Sequence, residues 1–297
     1  MISLTYCNGR FAPNGEISVA WHDAGFVFGA TTTDLVRTFQ HQLFRFSDHV
    51  TRFRRSCDLC RIPLELSDDE ITIAAETLVE HNAKLIESHS DLGLVLFATP
   101  GPLGRYFGQA FDGPPTFGMH TFPLQFARYR HLFAEGARLV IPRTKHVPDG
   151  SISRWAKHRS RMHWWIATRE TADTDPLAEP LLLDATGFVT ETSSANVVAV
   201  VDGGLVTPPD CLPGISLQVI RELAKGQGLL WCERSLTVDQ CLIADELFLT
   251  STTFGIAGVS RFVNKPIPWP GPTFHRLLGA YSQLVGLDIA QQIMKSA

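Results

Sequence analysis

Residues 181–216 constrain this chain more than any other stretch. The run LLLDATGFVTETSSANVVAVVDGGLVTPPDCLPGIS puts one carboxylate, Glu191, in a small hydroxyl-rich loop between two apolar, β-rich runs. A Pro213-Gly214 turn then opens a helix. A carboxylate flanked by interior strands is costly unless it meets a cationic partner. The unpaired N–H groups at the start of the helix favour the opposite, an anion. This region therefore has to supply both an acid that calls for a cation and a helix end that calls for a negative group.

The size of the chain sets the frame. With 297 residues and 44% hydrophobic side chains, two moderate domains are favoured over one. The formal net charge of −4 gives no support to a nucleic-acid partner. The N-terminus lacks a basic segment followed by an apolar one, and no apolar run approaches the roughly 18 to 20 residues of a membrane span. A soluble cytoplasmic protein is expected. Its six scattered cysteines fit reduced thiols rather than a disulfide framework. Cys57-Asp-Leu-Cys60 lacks the second ligand pair that a tetrahedral metal site needs, so no metal is expected.

The patterning predicts an α/β (α+β) chain. Asn8-Gly9 marks a β-hairpin, residues 43–46 read as a short strand, and Ser47-Asp48 caps a helix to about residue 59. Ser67-Asp-Asp-Glu70 is a capping box before a helix over residues 71–88, and residues 92–99 form a buried strand. The polar Arg128-Tyr-Arg-His131 reads as a hinge. The second half carries strands at 137–141, 181–184, 196–201, 229–233 and 246–251, with helices at 155–169, 216–227 and 273–285. Residues 1–127 are expected to form a smaller α/β domain, residues 128–133 a linker and residues 134–297 a larger cofactor-binding domain.

Lys157 sits in SRWAKHRSRMHW among other basic residues. Taken alone, it reads as a solvated helix face. Desolvation and a nearby cation would instead keep its amine neutral and ready for Schiff-base chemistry. Glu191 could pair with a protonated pyridine nitrogen or with an arginine. The Ile215-Ser216 helix start, the hydroxyls of Thr250-Ser251-Thr252-Thr253 and Arg52 together could hold a phosphate. A lysine, a buried acid and a phosphate cradle describe a site for pyridoxal 5′-phosphate.

The chain resembles the class IV, fold type IV pyridoxal-phosphate aminotransferases, a family that includes branched-chain and D-amino-acid aminotransferases. The resemblance is carried by Asn8-Gly9-Arg10-Phe11, Asp23-Ala24-Gly25-Phe26-Val27-Phe28-Gly29, Leu43-Phe44-Arg45, Lys157-His158, Thr190-Glu191, Ser194-Ala195-Asn196, Pro213-Gly214-Ile215 and Asp245-Glu246-Leu247-Phe248-Leu249-Thr250-Ser251-Thr252. It implies a small N-terminal α/β domain, a C-terminal pseudo-barrel domain and a homodimer that completes each site. It also implies that Lys157 forms a Schiff base and shuttles the substrate proton, and that Glu191 pairs with the pyridine nitrogen. Arg52, Ser194, Ile215, Ser216, Ser251 and Thr252 are implied to complete the cofactor set, with Thr33, Arg105, Phe28 and Thr253 lining the substrate pocket. The substrates implied are an amino acid and a 2-oxo acid, with branched-chain or apolar L-amino acids favoured and D-amino acids next. A pyruvate-releasing lyase of the aminodeoxychorismate type and a cofactor-binding protein without efficient turnover are the alternatives.

Some positions depart from the family pattern. Thr33 stands where many members carry a pocket aromatic, which predicts a wider or more polar pocket. Met162 replaces the tyrosine of the branched-chain enzymes, and Leu217 replaces an arginine that commonly follows the helix-opening turn. Arg105 aligns with the carboxylate-binding arginine of the D-amino-acid enzyme, whose nearby histidine is Phe107 here.

Overall fold

The computed structural model describes residues 2–295. The chain divides into two compact units: Met1–Leu124 with the short segment Ala156–Arg161, and Gln125–Trp155 with Met162–Ala297. The polar stretch read as a hinge is helical and belongs to the second unit. A 3-10 turn at Phe126–Tyr129 runs into helix α4, and the buried Phe126 and Leu132 anchor it despite its polar surface.

The first unit contains β1 (Leu4–Cys7), β2 (Arg10–Pro13), α1 (Ala24–Val27), β3 (Thr32–Phe39), β4 (Gln42–Leu43), α2 (Phe46–Cys60), α3 (Asp68–Ala83), β5 (Leu92–Thr99) and β6 (Thr116–Pro123). Its sheet runs β2-β1-β6-β5-β3-β4, antiparallel throughout. Asn8 and Gly9, with φ of 44° and 83°, close the predicted hairpin. The Ser67–Glu70 capping box forms as the sequence indicates, with Glu70 N donating to Ser67 Oγ at 3.2 Å. Helix α2 begins at Phe46, just ahead of the expected Ser47-Asp48 cap, after Arg45 in the left-handed region.

Period-two alternation points Thr32, Asp34 and Val36 at α2. Val36, Phe53, Ile71, Leu78, Leu94, Leu96 and Met119 form the core between sheet and helices. Asn82 stitches α3 to that sheet. Its carboxamide accepts from Leu4 N (2.8 Å) and donates to Leu4 O (2.9 Å) and to Thr121 Oγ1 (2.8 Å).

The second unit contains α4 (Arg130–Ala134), β7 (Ala137–Val140), α5 (Met162–Ala172), β8 (Glu179–Leu183), β9 (Val189–Thr192), β10 (Asn196–Val201), β11 (Gly204–Thr207), α6 (Ile215–Gly226), β12 (Trp231–Glu233), α7 (Val238–Leu242), β13 (Glu246–Ser251), β14 (Gly255–Phe262), β15 (Lys265–Pro266), α8 (Pro272–Val285) and α9 (Ile289–Lys295). The strands run β12-β11-β10-β13-β14-β7-β8-β9, and β9 pairs back onto β10. That return closes β10, β13, β14, β7, β8 and β9 into a barrel, and the closing pair is Glu191 with Asn196. Fully buried Val197, Val198, Phe248, Leu249, Ile256 and Ala257 fill the strands around it. Helix α8 starts where buried Glu246 accepts from Thr273 N and Phe274 N, each at 2.8 Å. No helix among the described residues is long and apolar enough to cross a membrane.

The predicted helix over residues 155–169 begins only at Met162. Residues 157–159 are extended instead, and Thr32 and His158 form an antiparallel bridge. The local pattern cannot reveal this, because the partner strand lies more than 120 residues away.

Replacing Asn82 with Ala leaves the Leu4 main-chain groups and the Thr121 hydroxyl without their partner. The expected loss is about 1–3 kcal/mol, read as an earlier urea transition of the first unit. A shift below about 0.5 kcal/mol, the size of an ordinary surface substitution, contradicts this assignment.

Candidate functional site

In the first unit the start of β3 is an open edge, since β4 pairs only with Thr38 and Phe39. Its main-chain groups need partners, and the segment after Ala156 supplies them. Thr33 N donates to Lys157 O at 2.9 Å, and Arg159 N donates to Thr31 O at 2.8 Å. Lys157 N donates to Ser56 Oγ at 3.0 Å, and that hydroxyl in turn donates to Arg52 O at 2.8 Å. One chain of hydrogen bonds thus ties Lys157 to Arg52, and one bridge sets it across from Thr33.

Arg52 is buried and fixed by Asp34, which is wholly enclosed. Arg52 Nε donates to Asp34 Oδ2 at 2.9 Å and Nη2 to Oδ1 at 2.7 Å, while His49 Nδ1 lies 2.7 Å from Oδ1. Burial alone would push the Asp34 carboxyl up. The charges and hydrogen bonds of Arg52 and His49 outweigh it and hold the group well below the ordinary carboxylate range. For His49, burial pushes the pKa down and Asp34 pulls it up, with Arg52 and Lys157 pressing it down again. Thr33, expected to make the pocket more polar, donates its hydroxyl to Leu96 O at 2.9 Å, so that hydroxyl serves the sheet. Arg105 and Phe28 come together, with the guanidinium 5.4 Å from the Phe28 ring and 5.1 Å from that of Tyr106.

In the second unit Glu191 lies within β9, not in a loop, because the barrel closes through it. Its Oε1 accepts from Leu212 N and its Oε2 from Asn196 Nδ2, both at 3.3 Å. Asn196 Nδ2 also donates to Leu212 O at 2.9 Å. His146 Nε2 lies 3.5 Å from Glu191 Oε1. His146 Nδ1 is 3.1 Å from Val147 O, which can only accept, so Nδ1 carries a proton. The Glu191 contact is an ion pair when Nε2 carries one too.

Gly214 precedes α6 and no side chain caps the helix there. A Cβ at Gly214 would come within 2.1 Å of Asn196 Oδ1, so only glycine allows the carboxamide to sit beneath the helix start. Ile215 and Ser216 open that helix, with Ser216 Oγ 3.5 Å from Tyr281 Oη. Ser251 Oγ donates to Ser194 O at 2.9 Å and lies 3.4 Å from Thr253 Oγ1. Thr252 is in the turn after β13. Beside them the buried Thr250 hydroxyl makes no hydrogen bond among the described residues. The structure thus brings together Lys157 with Arg52 and Thr33, and Arg105 with Phe28, in the first unit, and Ser194 with Ser251 and Thr253 in the second, where Glu191 meets Leu212, Asn196 and His146.

Sequence reasoning assigned no role to Asp34, Ser56 or His146. Asp34 left a signal, since a charge beside Leu35 and Val36 in a strand calls for a cation once that strand is buried. His146 left none, because it lies in a loop that a bond from its N–H to Leu183 O (2.9 Å) brings to Glu191. Among the described residues no group of three or more His, Cys, Asp or Glu side chains could hold a metal ion.

Asp34→Asn breaks a buried ion pair, and about 3–5 kcal/mol should be lost at pH 7. A depressed folded-state pKa stabilises above the unfolded value of about 3.9 and is lost as pH falls below it. The thermal-stability gap between wild type and Asp34→Asn should therefore shrink between about pH 5 and about pH 2.5, and a constant gap refutes the pairing.

The family model of amino-transferase class IV matches residues 31–262. A D-alanine aminotransferase of Bacillus licheniformis is 26% identical over 89% of this chain and 91% of its own. A branched-chain-amino-acid aminotransferase of Salmonella typhimurium is 26% identical over 83% of this chain and 82% of its own. The crystal structure of the T.th. branched-chain amino acid aminotransferase with pyridoxamine 5′-phosphate superposes with a TM-score of 0.84 at 25% identity, covering 96% of this chain and 94% of that one. The closed barrel, the two-unit arrangement and a match across most of the chain lead to one conclusion: the protein belongs to amino-transferase class IV, the pyridoxal-phosphate-dependent aminotransferases of fold type IV.

Proposed function

We propose that this aminotransferase moves an amino group between a branched-chain or other apolar L-amino acid and a 2-oxo acid, with D-amino acids as its second substrate class. The observation that carries the reading is Lys157, locked by main-chain hydrogen bonds beside Thr33 and tied through Ser56 to Arg52. Two of its relatives bear the names of branched-chain and D-alanine aminotransferases. Their names favour transamination over pyruvate release or inert cofactor binding.

The residues present suit pyridoxal phosphate. The α6 start lacks a side-chain cap, the Thr250 hydroxyl is buried without a partner among the described residues, and Glu191 is an acid held by donors. When bound, the cofactor supplies an electron sink for the negative charge left when the substrate Cα loses its proton. Lys157 is the residue that takes this proton and returns it. Glu191, oriented by Leu212 N, Asn196 and His146, would meet the ring nitrogen. Arg52, the N–H groups of Ile215 and Ser216, Ser251 and Thr252 would hold the phosphate, and Ser194 fixes Ser251. Thr33, Phe28, Arg105 and Thr253 face the substrate.

A homodimer is the assembly we infer. Exposed Trp21, Phe26, Phe28, Tyr106 and Phe107 crowd one part of the first unit, with Trp21 and Phe107 ring centroids 6.2 Å apart, and such patches mark contact surfaces. The six free thiols suit a reducing compartment such as the cytoplasm.

Mixed with the yellow protein, L-leucine should bleach the cofactor absorbance faster than D-alanine does. Bleaching by D-alanine alone reverses the substrate order. Lys157→Ala should lower turnover by at least about 100-fold while the fold survives, since a positioned proton carrier is worth about 10²–10⁴. A variant at the wild-type rate sinks the assignment.

A further inference from the structure

Arg159 takes no part in the roles above, yet it stands two residues beyond Lys157 in the same extended pairing. Its N–H is bonded to Thr31 O, and its guanidinium carbon lies 5.6 Å from the centre of the Phe97 ring. Phe97 pairs with Thr33 on β3 and with Gly118 on β6. A Cβ at Gly118 would come within 2.5 Å of that ring, so the far end of the ring fills the space over the glycine. Gly118 and Phe97 form a platform, and Arg159 rests on it.

Two features set this cation apart. Among the described residues no carboxylate pairs with its guanidinium, and burial pushes its pKa down with no charge to pull it back. The titratable neighbour it acts on is His120, whose pKa burial and then Arg159 push down. The arginine is nonetheless exposed, so a ligand can reach it. A partly dehydrated guanidinium without an anion is an unfavourable arrangement that a bound carboxylate relieves. Its planar fork matches a carboxylate in two-pronged fashion.

We propose that Arg159 anchors a carboxylate of the substrate, a specificity-determining residue set beside Lys157 on the Phe97 platform. Extended residues i and i+2 share a side of the strand and lie about 6.6 Å apart. That separation brings the cation within reach of the carboxylate of an amino acid whose nitrogen is handled at Lys157. Arg105, stacked on Phe28 and Tyr106, is a separate cation. The inference rests on Lys157 being the reacting lysine.

The test uses the pyridoxal-phosphate-loaded protein and calorimetric titration with pentanoate, glutarate and pentanamide. Wild type should bind the carboxylates at least tenfold more tightly than the amide. Arg159→Gln should erase that preference while keeping its yellow absorbance, and Arg159→Lys should restore part of it. Loss for pentanoate and glutarate alike assigns Arg159 to the carboxylate next to the amino carbon, whereas loss for glutarate alone assigns it to a second, distal one. An Arg159→Gln protein that keeps the full preference overturns the proposal, as does a wild type that binds acid and amide equally. A protein that never turns yellow instead counts against the cofactor reading itself. Should Arg159→Gln fail to fold, the Arg159→Lys protein decides, since the proposal requires its preference to fall between wild type and none.

Discussion

Three hydrogen bonds from main-chain N–H groups fix where Lys157 stands. Thr33 N to Lys157 O, Arg159 N to Thr31 O and Lys157 N to Ser56 Oγ draw residues 157–159 out of helical conformation and onto the first unit's sheet. The bonds form because β3 begins as an unpaired edge and Ser56 offers an acceptor beside it. Each bond contributes about 1 kcal/mol, but their larger effect is on register. A shift of one residue would turn Lys157 to the side that His158 now occupies.

The charges around the candidate site are handled in the same way in both units, each largely enclosed ion meeting partners that fix its orientation. Asp34 grips Arg52 through two nitrogens and accepts from His49, so the guanidinium cannot swing. Glu191 occupies the pair that closes the barrel, where Leu212 N, Asn196 and His146 surround its carboxylate. The nearby Cys211 thiol is pushed up by burial and by the charge of Glu191, so it stays protonated and inert. In the proposed roles, groups fixed beforehand would need no reorganisation during the reaction, a general source of electrostatic catalysis.

Much of this was legible from local chemistry. The Asn8-Gly9 turn, the Ser67–Glu70 capping box and the glycine-led start of α6 each carry their own geometry in a few residues. Glu191 stood out because an acid in a hydroxyl-rich stretch between two apolar, β-rich runs needs a reason. What stayed hidden depends on distant pairings. Residues 155–169 read as a helix since nothing in them records the open edge of β3. His146 reaches Glu191 through a loop held to Leu183 O, and Arg159 reaches Phe97 through the pairings of β3, contacts between residues 45 and 62 positions apart. Arg52 could be named as a phosphate residue, but its lock on Asp34 requires α2 to lie across β3.

The most direct test is covalent. The protein loaded with pyridoxal 5′-phosphate is reduced with borohydride, digested, and its peptides are mapped by mass spectrometry. The phosphopyridoxyl mass should fall on the peptide containing Lys157 and be localised to that side chain. A modification on any other lysine, or none in a protein that binds the cofactor, contradicts the assignment of Lys157 as the reacting group.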